Sequence, residues 1–248
     1  MKMKKRVWIP AALLLCLLAG GIGIFMLDRG ILHLNNPSKT QYPVQGVDVS
    51  AHQGNIDWEA LKGQGVEFAY LKATEGSSFQ DRQFQANWEN AQKAGILTGA
   101  YHFFSFDSEG KTQSENFIAA VPKTAGTLPP VVDIEFYGDK EQNRPSKEET
   151  AEILNELLGE LEAHYGVKPV LYATMKSYRA YLESGYGEYP IWIRDVFSCP
   201  NLPGGREWAF WQYSSRHRMK GYDGREPFID QNVFNGTLEE LKQMCIAP

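Results

Sequence analysis

Asp133 and Glu135 are two carboxylates separated by one isoleucine at the end of an apolar run, Pro130-Val131-Val132-Asp133-Ile134-Glu135-Phe136. On a β-strand alternate side chains share a face, so both acids project together, with Cα atoms about 6.6 Å apart, while Ile134 turns away. An ionised carboxylate among apolar neighbours and beside a like charge is disfavoured. One of the pair is therefore expected to have its pKa raised and to keep a proton, which is what acid–base catalysis requires. The same pattern also arises where a strand simply ends in a polar loop, and the elements around it decide between the two.

The 248 residues, 43% hydrophobic and 22% charged, suffice for one large domain or two small ones with a sizeable core. From Gln45 onward, short apolar runs of β type alternate with helical patterns. Strands are expected over residues 46–50, 68–73, 97–104, 130–134, 170–173, 191–194, 209–213 and 228–234. Helices are expected in the first five gaps, over 57–62, 81–94, 111–121, 146–165 and 175–183. The fourth opens with Ser146-x-x-Glu149, a capping box, after which Ile153, Leu154, Leu157, Leu158 and Leu161 follow at helical spacing. Pro200, Pro203, Gly204 and Gly205 leave no helix between strands six and seven, and the polar, glycine-rich stretch 214–227 leaves none between seven and eight. Thr237-x-x-Glu240 opens a closing helix.

This alternation predicts an α/β fold, an irregular TIM-like barrel of five β/α units followed by three strands. An open doubly wound sheet is the alternative, but no G-x-G-x-x-G follows the first strand. In a barrel of this kind the active site lies at the C-terminal ends of the strands. That rule selects Asp48 late in strand one, Asp133 and Glu135 at the end of strand four, and Asp230 in strand eight, which closes against strand one.

The N-terminus is a separate object. Lys2, Lys4, Lys5 and Arg6 precede an uncharged run from Val7 to Leu27, long enough to cross a bilayer as a helix. The expected organisation is a cytoplasmic basic flank (1–6), a transmembrane signal-anchor (7–27), a linker (28–43) and a catalytic barrel (44–248) outside the cytoplasm. Secretion after signal cleavage is the alternative, with Ala19-Gly20-Gly21 a weak cleavage site. Beyond residue 40 the chain has 19 basic and 29 acidic residues, a net charge of −10, which argues against a nucleic-acid partner. Cys199 and Cys245 fall in the exported part, and their spacing leaves a disulfide and two free thiols equally open.

Several motifs follow one another in order along the chain. They are Gly46-Val47-Asp48-Val49-Ser50 with His52-Gln53-Gly54 and Ile56-Asp57-Trp58; Tyr70-Leu71-Lys72-Ala73-Thr74-Glu75-Gly76; and Gly99-Ala100-Tyr101-His102-Phe103. Val132-Asp133-Ile134-Glu135, Trp211-Gln212-Tyr213 and Ile229-Asp230-Gln231-Asn232-Val233-Phe234-Asn235-Gly236 complete the series. The ordered set, spread over residues 44–244, resembles glycoside hydrolase family 25, the Chalaropsis-type lysozymes. The resemblance implies an irregular β/α barrel that hydrolyses the β-1,4 bond between N-acetylmuramic acid and N-acetylglucosamine in peptidoglycan; a monomeric catalytic domain needing no metal or cofactor is the accompanying expectation. It implies Glu135 as general acid/base, with Asp133 orienting the sugar's acetamido group or an attacking water. Asp48 and Asp230 match the family's other acidic positions, binding substrate and tuning the acid. It favours retention through acetamido assistance, although carboxyl separation alone leaves direct and double displacement open. Lys72, Tyr101, Tyr137, Trp211, Gln212 and Tyr213 are the candidate substrate-binding residues. One departure is local: Arg194-Asp195-Val196 replaces the small-aromatic run usual after the sixth strand, which bears on subsite preference.

Simpler assignments exist for several of these. Lys72 suits a strand-end lysine reaching solvent, and strand aromatics such as Tyr101, Trp211 and Tyr213 suit a core. His102, by alternation from Tyr101, reads as an inner-barrel or rim histidine. A metal-dependent deacetylase would need two histidines a helical turn apart, and His33, His52, His102, His164 and His217 contain no such pair. A serine hydrolase would need G-x-S-x-G, which is absent. The remaining alternatives are a glucosaminidase of similar fold and a non-catalytic glycan-binding barrel, whose signature would be loss of one of the four carboxylates.

Overall fold

The computed structural model describes residues 5–247, with side chains from residue 13 onward. The barrel strands are β1 (Gln45–Val49), β2 (Phe68–Glu75), β4 (Leu97–Phe103), β5 (Val131–Ile134), β6 (Val170–Thr174), β7 (Ile191–Arg194), β8 (Phe210–His217) and β9 (Ile229–Phe234). They run in the order β1-β9-β8-β7-β6-β5-β4-β2, and β1 pairs with β2 to close the cylinder. All eight expected strands are present. A two-residue strand, β3 (Phe79–Gln80), additionally folds back antiparallel on the end of β2.

Pairing is parallel from β1 through β2 and on to β8, whereas β9 is antiparallel to both of its neighbours. The reversal matters for the site. Asp230 is the second residue of β9, and an early residue of a parallel strand would sit at the far end of the barrel. Running the other way, β9 carries Asp230 to the same mouth as the late residues of the parallel strands, in register with Asp48.

Helices α2 (Trp58–Gly63), α3 (Phe84–Lys93), α4 (Gly110–Ala120) and α5 (Lys147–Tyr165) cover the outside of the barrel. The Ser146 hydroxyl accepts from the Glu149 amide at 3.2 Å while a Glu149 oxygen accepts from the Ser146 amide at 3.1 Å, so α5 begins at its capping box. Its Leu154, Leu157, Leu158 and Leu161 are buried in the layer between helices and strands. The fifth expected helix is different: one turn, α6 (Met175–Ser177), runs into a π turn at Tyr178–Leu182, burying Tyr178, Tyr181 and Leu182. A closing helix, α7 (Leu238–Gln243), starts at its own capping box on Thr237.

The barrel interior is filled with rings. Phe68, Tyr70, Trp192 and Phe210 are buried together, with Tyr70 stacked on Trp192 at 5.0 Å between centroids. Two strand glycines make this possible: a Cβ at Gly46 would lie 2.4 Å from the Phe68 ring, and one at Gly99 2.2 Å from the Tyr70 ring. Large and small residues thus alternate across the cylinder so that its core is solid.

The N-terminal helix α1 spans Lys5–Asp28. The basic flank and the start of the expected membrane span lie outside the described side chains, and among the described residues no helix is long and apolar enough to cross a membrane. From Leu13 to Phe25 the helix exposes Leu13, Leu14, Leu15, Leu17, Leu18, Ile22, Ile24 and Phe25. The segment expected as a linker is fastened to the barrel. Asp28 pairs with Arg216 at 3.0 Å, Arg218 donates to the Arg29 carbonyl at 3.3 Å, and the rings of His33 and His217 stack at 4.7 Å. Asn35 is buried and donates to the Asp195 carbonyl at 3.1 Å. Cys199 and Cys245 are free thiols.

Candidate active site

Four carboxylates meet at the mouth. Asp48, Asp133, Glu135 and Asp230 line one cleft of about 410 Å³, together with Lys72, Tyr101, Tyr172, Trp192, Arg194 and Gln212 among others. Each arrives by strand alternation. On β5, Val132 and Ile134 pack outward beneath the helices while Asp133 points inward, and Glu135 follows on the same side just past the strand's last residue. On β1, Val47 and Val49 take the outer layer and Asp48 the inner.

The four acids differ in their support. One Asp48 oxygen accepts two hydrogen bonds, from Gln212 Nε2 at 2.8 Å and Asn232 Nδ2 at 2.7 Å. Those amides are themselves held, Gln212 by the Tyr172 hydroxyl at 3.0 Å and Asn232 by the Trp192 indole N–H at 2.8 Å. The result is a connected buried network that fixes Asp48 in place. Asp133 is as deeply buried, yet its Oδ1 has no hydrogen-bond partner among the described residues. A buried acceptor without a donor is costly and marks a place where an incoming donor is wanted.

Burial pushes all four carboxyls upward. Asp133 is raised well above the usual carboxylate range by desolvation, then by the neighbouring Glu135 and Asp48 charges. Asp230 is raised well above it by desolvation and by Asp48, its partner across the ladder. Glu135 is raised by desolvation, against the lowering effect of the Arg194 guanidinium. Asp48 is raised by desolvation, with the Asn232 and Gln212 hydrogen bonds pulling back. Such a group titrates as a coupled set, its members losing their protons at higher pH than isolated carboxyls do. It can therefore hold a proton for transfer and a carboxylate for orientation side by side. Among the described residues no cluster of three or more His, Cys, Asp or Glu side chains is disposed to hold a metal ion.

The other expected binding residues divide by parity. Lys72, Tyr101 and Gln212 line the cleft. Lys72 is paired with Glu75 at 2.6 Å and lies over the Phe103 ring at 5.0 Å. Trp211 and Tyr213 do not reach it: with Gln212 facing inward, its neighbours on β8 must face outward. Trp211 is buried against Tyr42, Trp208 and Tyr213, with its indole N–H donating to the Asp195 carbonyl at 2.8 Å. Tyr137 also lies away from the cleft, its hydroxyl donating to Asp107 at 2.9 Å and accepting from the Phe106 amide at 3.0 Å. His102 faces outward rather than into the barrel, bridging the Thr74 hydroxyl at 2.7 Å and Gln113 at 3.0 Å, and burial lowers its pKa to about 4.

Sequence reasoning passed over Tyr172, Trp192 and Asn232. For two of them the available signal was parity: Asn232 is two residues from Asp230, and Trp192 shares a face with Arg194.

Three comparisons bear on the site. The family described as "Glycosyl hydrolases family 25" matches residues 47–222. A family 25 glycosyl hydrolase from Bacillus anthracis superposes with a TM-score of 0.81 at 47% identity, covering 86% of this chain and 97% of that one. A bacterial lysozyme from Streptomyces coelicolor superposes with a TM-score of 0.74 at 34% identity, covering 81% and 96%. In sequence, Lysozyme M1 of Streptomyces globisporus is 35% identical over 214 residues, 80% of this chain and 70% of the relative.

Proposed function

The chain belongs to glycosyl hydrolase family 25 and is a glycoside hydrolase, and on that premise we propose that it is a peptidoglycan hydrolase of the N-acetylmuramidase type, cutting the β-1,4 bond between N-acetylmuramic acid and N-acetylglucosamine. The observation that carries this reading is the convergence on one open cleft of four carboxyls whose pKa values burial raises. Glu135 is the general acid that protonates the leaving oxygen and the base that later activates water. Asp133 acts on the acetamido group of the sugar. Its unpartnered Oδ1 suits an amide N–H, and that hydrogen bond stabilises Asp133 as the carboxylate. In the free cleft Asp133 is raised by desolvation and then by the Glu135 and Asp48 charges, whereas at Glu135 the Arg194 guanidinium works against desolvation. Substrate binding therefore moves the shared proton toward Glu135, where it is needed, and leaves Asp133 to hold the acetamido oxygen toward the anomeric carbon. Such assistance gives retention of configuration. Asp48, locked by two amides, and Asp230 keep the field around the acid negative.

The test is digestion of purified peptidoglycan by the full chain in detergent, followed by reduction and mass spectrometry of the new ends. Reduced muramic acid ends are expected. Reduced glucosamine ends would assign the other glycosidic bond, and no new ends would leave a binding barrel. Glu135→Gln is expected to lower kcat by at least about 100-fold while still binding glycan strands; full activity in that variant would remove Glu135 from the role.

We further propose that the enzyme works outside the cytoplasm, tethered by its N-terminal helix. Support comes from the uncharged run Val7 to Leu27 behind a basic flank, and from the exposed apolar side chains of α1. Carbonate-resistant membrane association of the full chain is expected. A mature enzyme lacking residues 1–27 in the medium would overturn the tether.

A further inference from the structure

Arg194 ends β7 at the mouth, on the inward face it shares with Trp192. It borders three cavities at once: the catalytic cleft, a cavity of about 430 Å³ against the N-terminal segment, and one of about 490 Å³ toward α6. The cleft's other strong cation, Lys72, is committed to Glu75. Arg206 spends its guanidinium on the carbonyls of Leu182, Tyr186 and Tyr189, and Arg216 pairs with Asp28. The Arg194 side chain donates no hydrogen bond and enters no ion pair among the described residues, although it is half-buried and surrounded by acids.

A guanidinium has five N–H donors in a planar fork, suited above all to a carboxylate. The Arg194 charge is felt by Glu135, Asp48 and Asp230, whose pKa values it lowers, but none of them takes a hydrogen bond from the fork, so its donors stay open. The fork is placed to receive an anion from outside, one that the acid-lined cleft would otherwise repel. On the reading proposed above, on which this step rests, the substrate carries such a group. The muramoyl residue bears a lactyl arm whose carboxyl is free in bare glycan and extended by a peptide with its own carboxylates in native wall. The two side cavities bordered by Arg194 leave room for that arm to depart from the sugar.

We propose that Arg194 is a specificity-determining residue that binds a carboxylate on the lactyl arm of the muramoyl unit. The cavities beside it then accommodate the arm, and the cleft distinguishes muramoyl strands from neutral amino-sugar polymers by this contact.

The test compares three soluble glycan substrates with wild-type, Arg194→Gln and Arg194→Lys full-length protein. The substrates are peptide-bearing strands, amidase-stripped strands with free lactyl carboxylates, and stripped strands whose lactyl carboxyls have been converted to methylamides. Wild-type kcat/KM is expected to favour a carboxylate-bearing substrate over the methylamide by about tenfold, chiefly through KM. Arg194→Gln should abolish that preference and Arg194→Lys should keep part of it. A preference seen with stripped strands assigns the contact to the lactyl carboxylate, and one seen only with peptide-bearing strands assigns it to the peptide. A wild-type enzyme that cleaves carboxylate and methylamide strands equally overturns the proposal, as does an Arg194→Gln protein with an unaltered preference. Failure of the wild type to cut any of the three defeats the muramidase reading itself, and this inference with it.

Discussion

Asp133 and Glu135 are adjacent on one face yet are built for opposite tasks. Asp133 is nearly water-free with an orphan oxygen, whereas Glu135 has an open side and a cation in its field. Asp133 should therefore be a residue that costs stability to keep. Its folded pKa is raised well above that of the unfolded chain, so the stability linked to its proton is complete below about pH 4 and is lost as pH rises through the raised folded value. Asn cannot ionise, so Asp133→Asn is expected to melt a few degrees above wild type at pH 7 while losing at least about 100-fold in kcat. Calorimetry at pH 7 and pH 4 checks the sign: the gain must shrink at the lower pH. Arg194 offers the complementary residue-scale prediction. Its positive charge lowers the Glu135 pKa, so removing it raises that pKa. A general acid must be protonated to act, and the alkaline limb of the pH–rate profile of Arg194→Gln should move to higher pH. Measured on methylamide strands, which offer the arginine no carboxylate, this shift reports the field alone.

At the scale of elements, the barrel's aromatic filling makes particular glycines obligatory. Gly99 has an ordinary strand conformation, so its reason is space: the Tyr70 ring occupies the place of a side chain. Tyr70 in turn is stacked on Trp192, which holds Asn232 and through it Asp48. Gly99→Ala is expected to cost about 1–3 kcal/mol by overpacking and to lower activity more than Tm alone suggests, because the displaced ring pushes on the Asp48 support. Denaturant unfolding compared with kcat separates the two effects. The strands themselves were legible because period-two patterning and eight strongly apolar runs leave little freedom, and the convergence of the four acids followed from strand ends. What was not legible depended on phase or on contacts distant in sequence. Trp211-Gln212-Tyr213 presents either one amide or two aromatics to the cleft, and only pairing with β7 and β9 settles which. The reversal of β9 was equally hidden, although Asp230 depends on it. The π turn after β6 carries no local signature, since Tyr178 and Tyr181 suit an ordinary helix as well. Asn35 and Asp28 sit in a polar stretch that reads as a free linker, and their partners lie 160 or more residues away.

At the scale of the whole molecule, that linker seam joins the N-terminal helix to the rim that carries Arg194. Ile24, Leu27, Leu32 and Leu34 wall the cavity beside the arginine, and Arg216 and Arg218 reach from the end of β8 and the loop beyond to hold Asp28 and the Arg29 carbonyl. This seam therefore closes one side of a cavity that Arg194 borders. At its centre the stacked pair His33–His217 is desolvated, and both imidazoles have their pKa lowered, His217 also by the nearness of His33. The sign follows from the lowering. Stability from the neutral pair is complete above about pH 6.5 and is lost as pH falls through the folded values. Two imidazolium rings 4.7 Å apart, beside two arginines and with one carboxylate already taken by Arg216, repel each other. Amide hydrogen exchange of residues 29–32, whose amides are hydrogen-bonded to the end of α1, is expected after correction for intrinsic rates to show protection at pH 7.5 and substantial loss at pH 5, with the barrel strands unchanged. His217→Phe keeps a ring for His33 to stack on but cannot charge, so most of the protection should persist at pH 5. Equal protection at both pH values in the wild type would mean that the ion pair and the Asn35 contact hold the seam without the histidines.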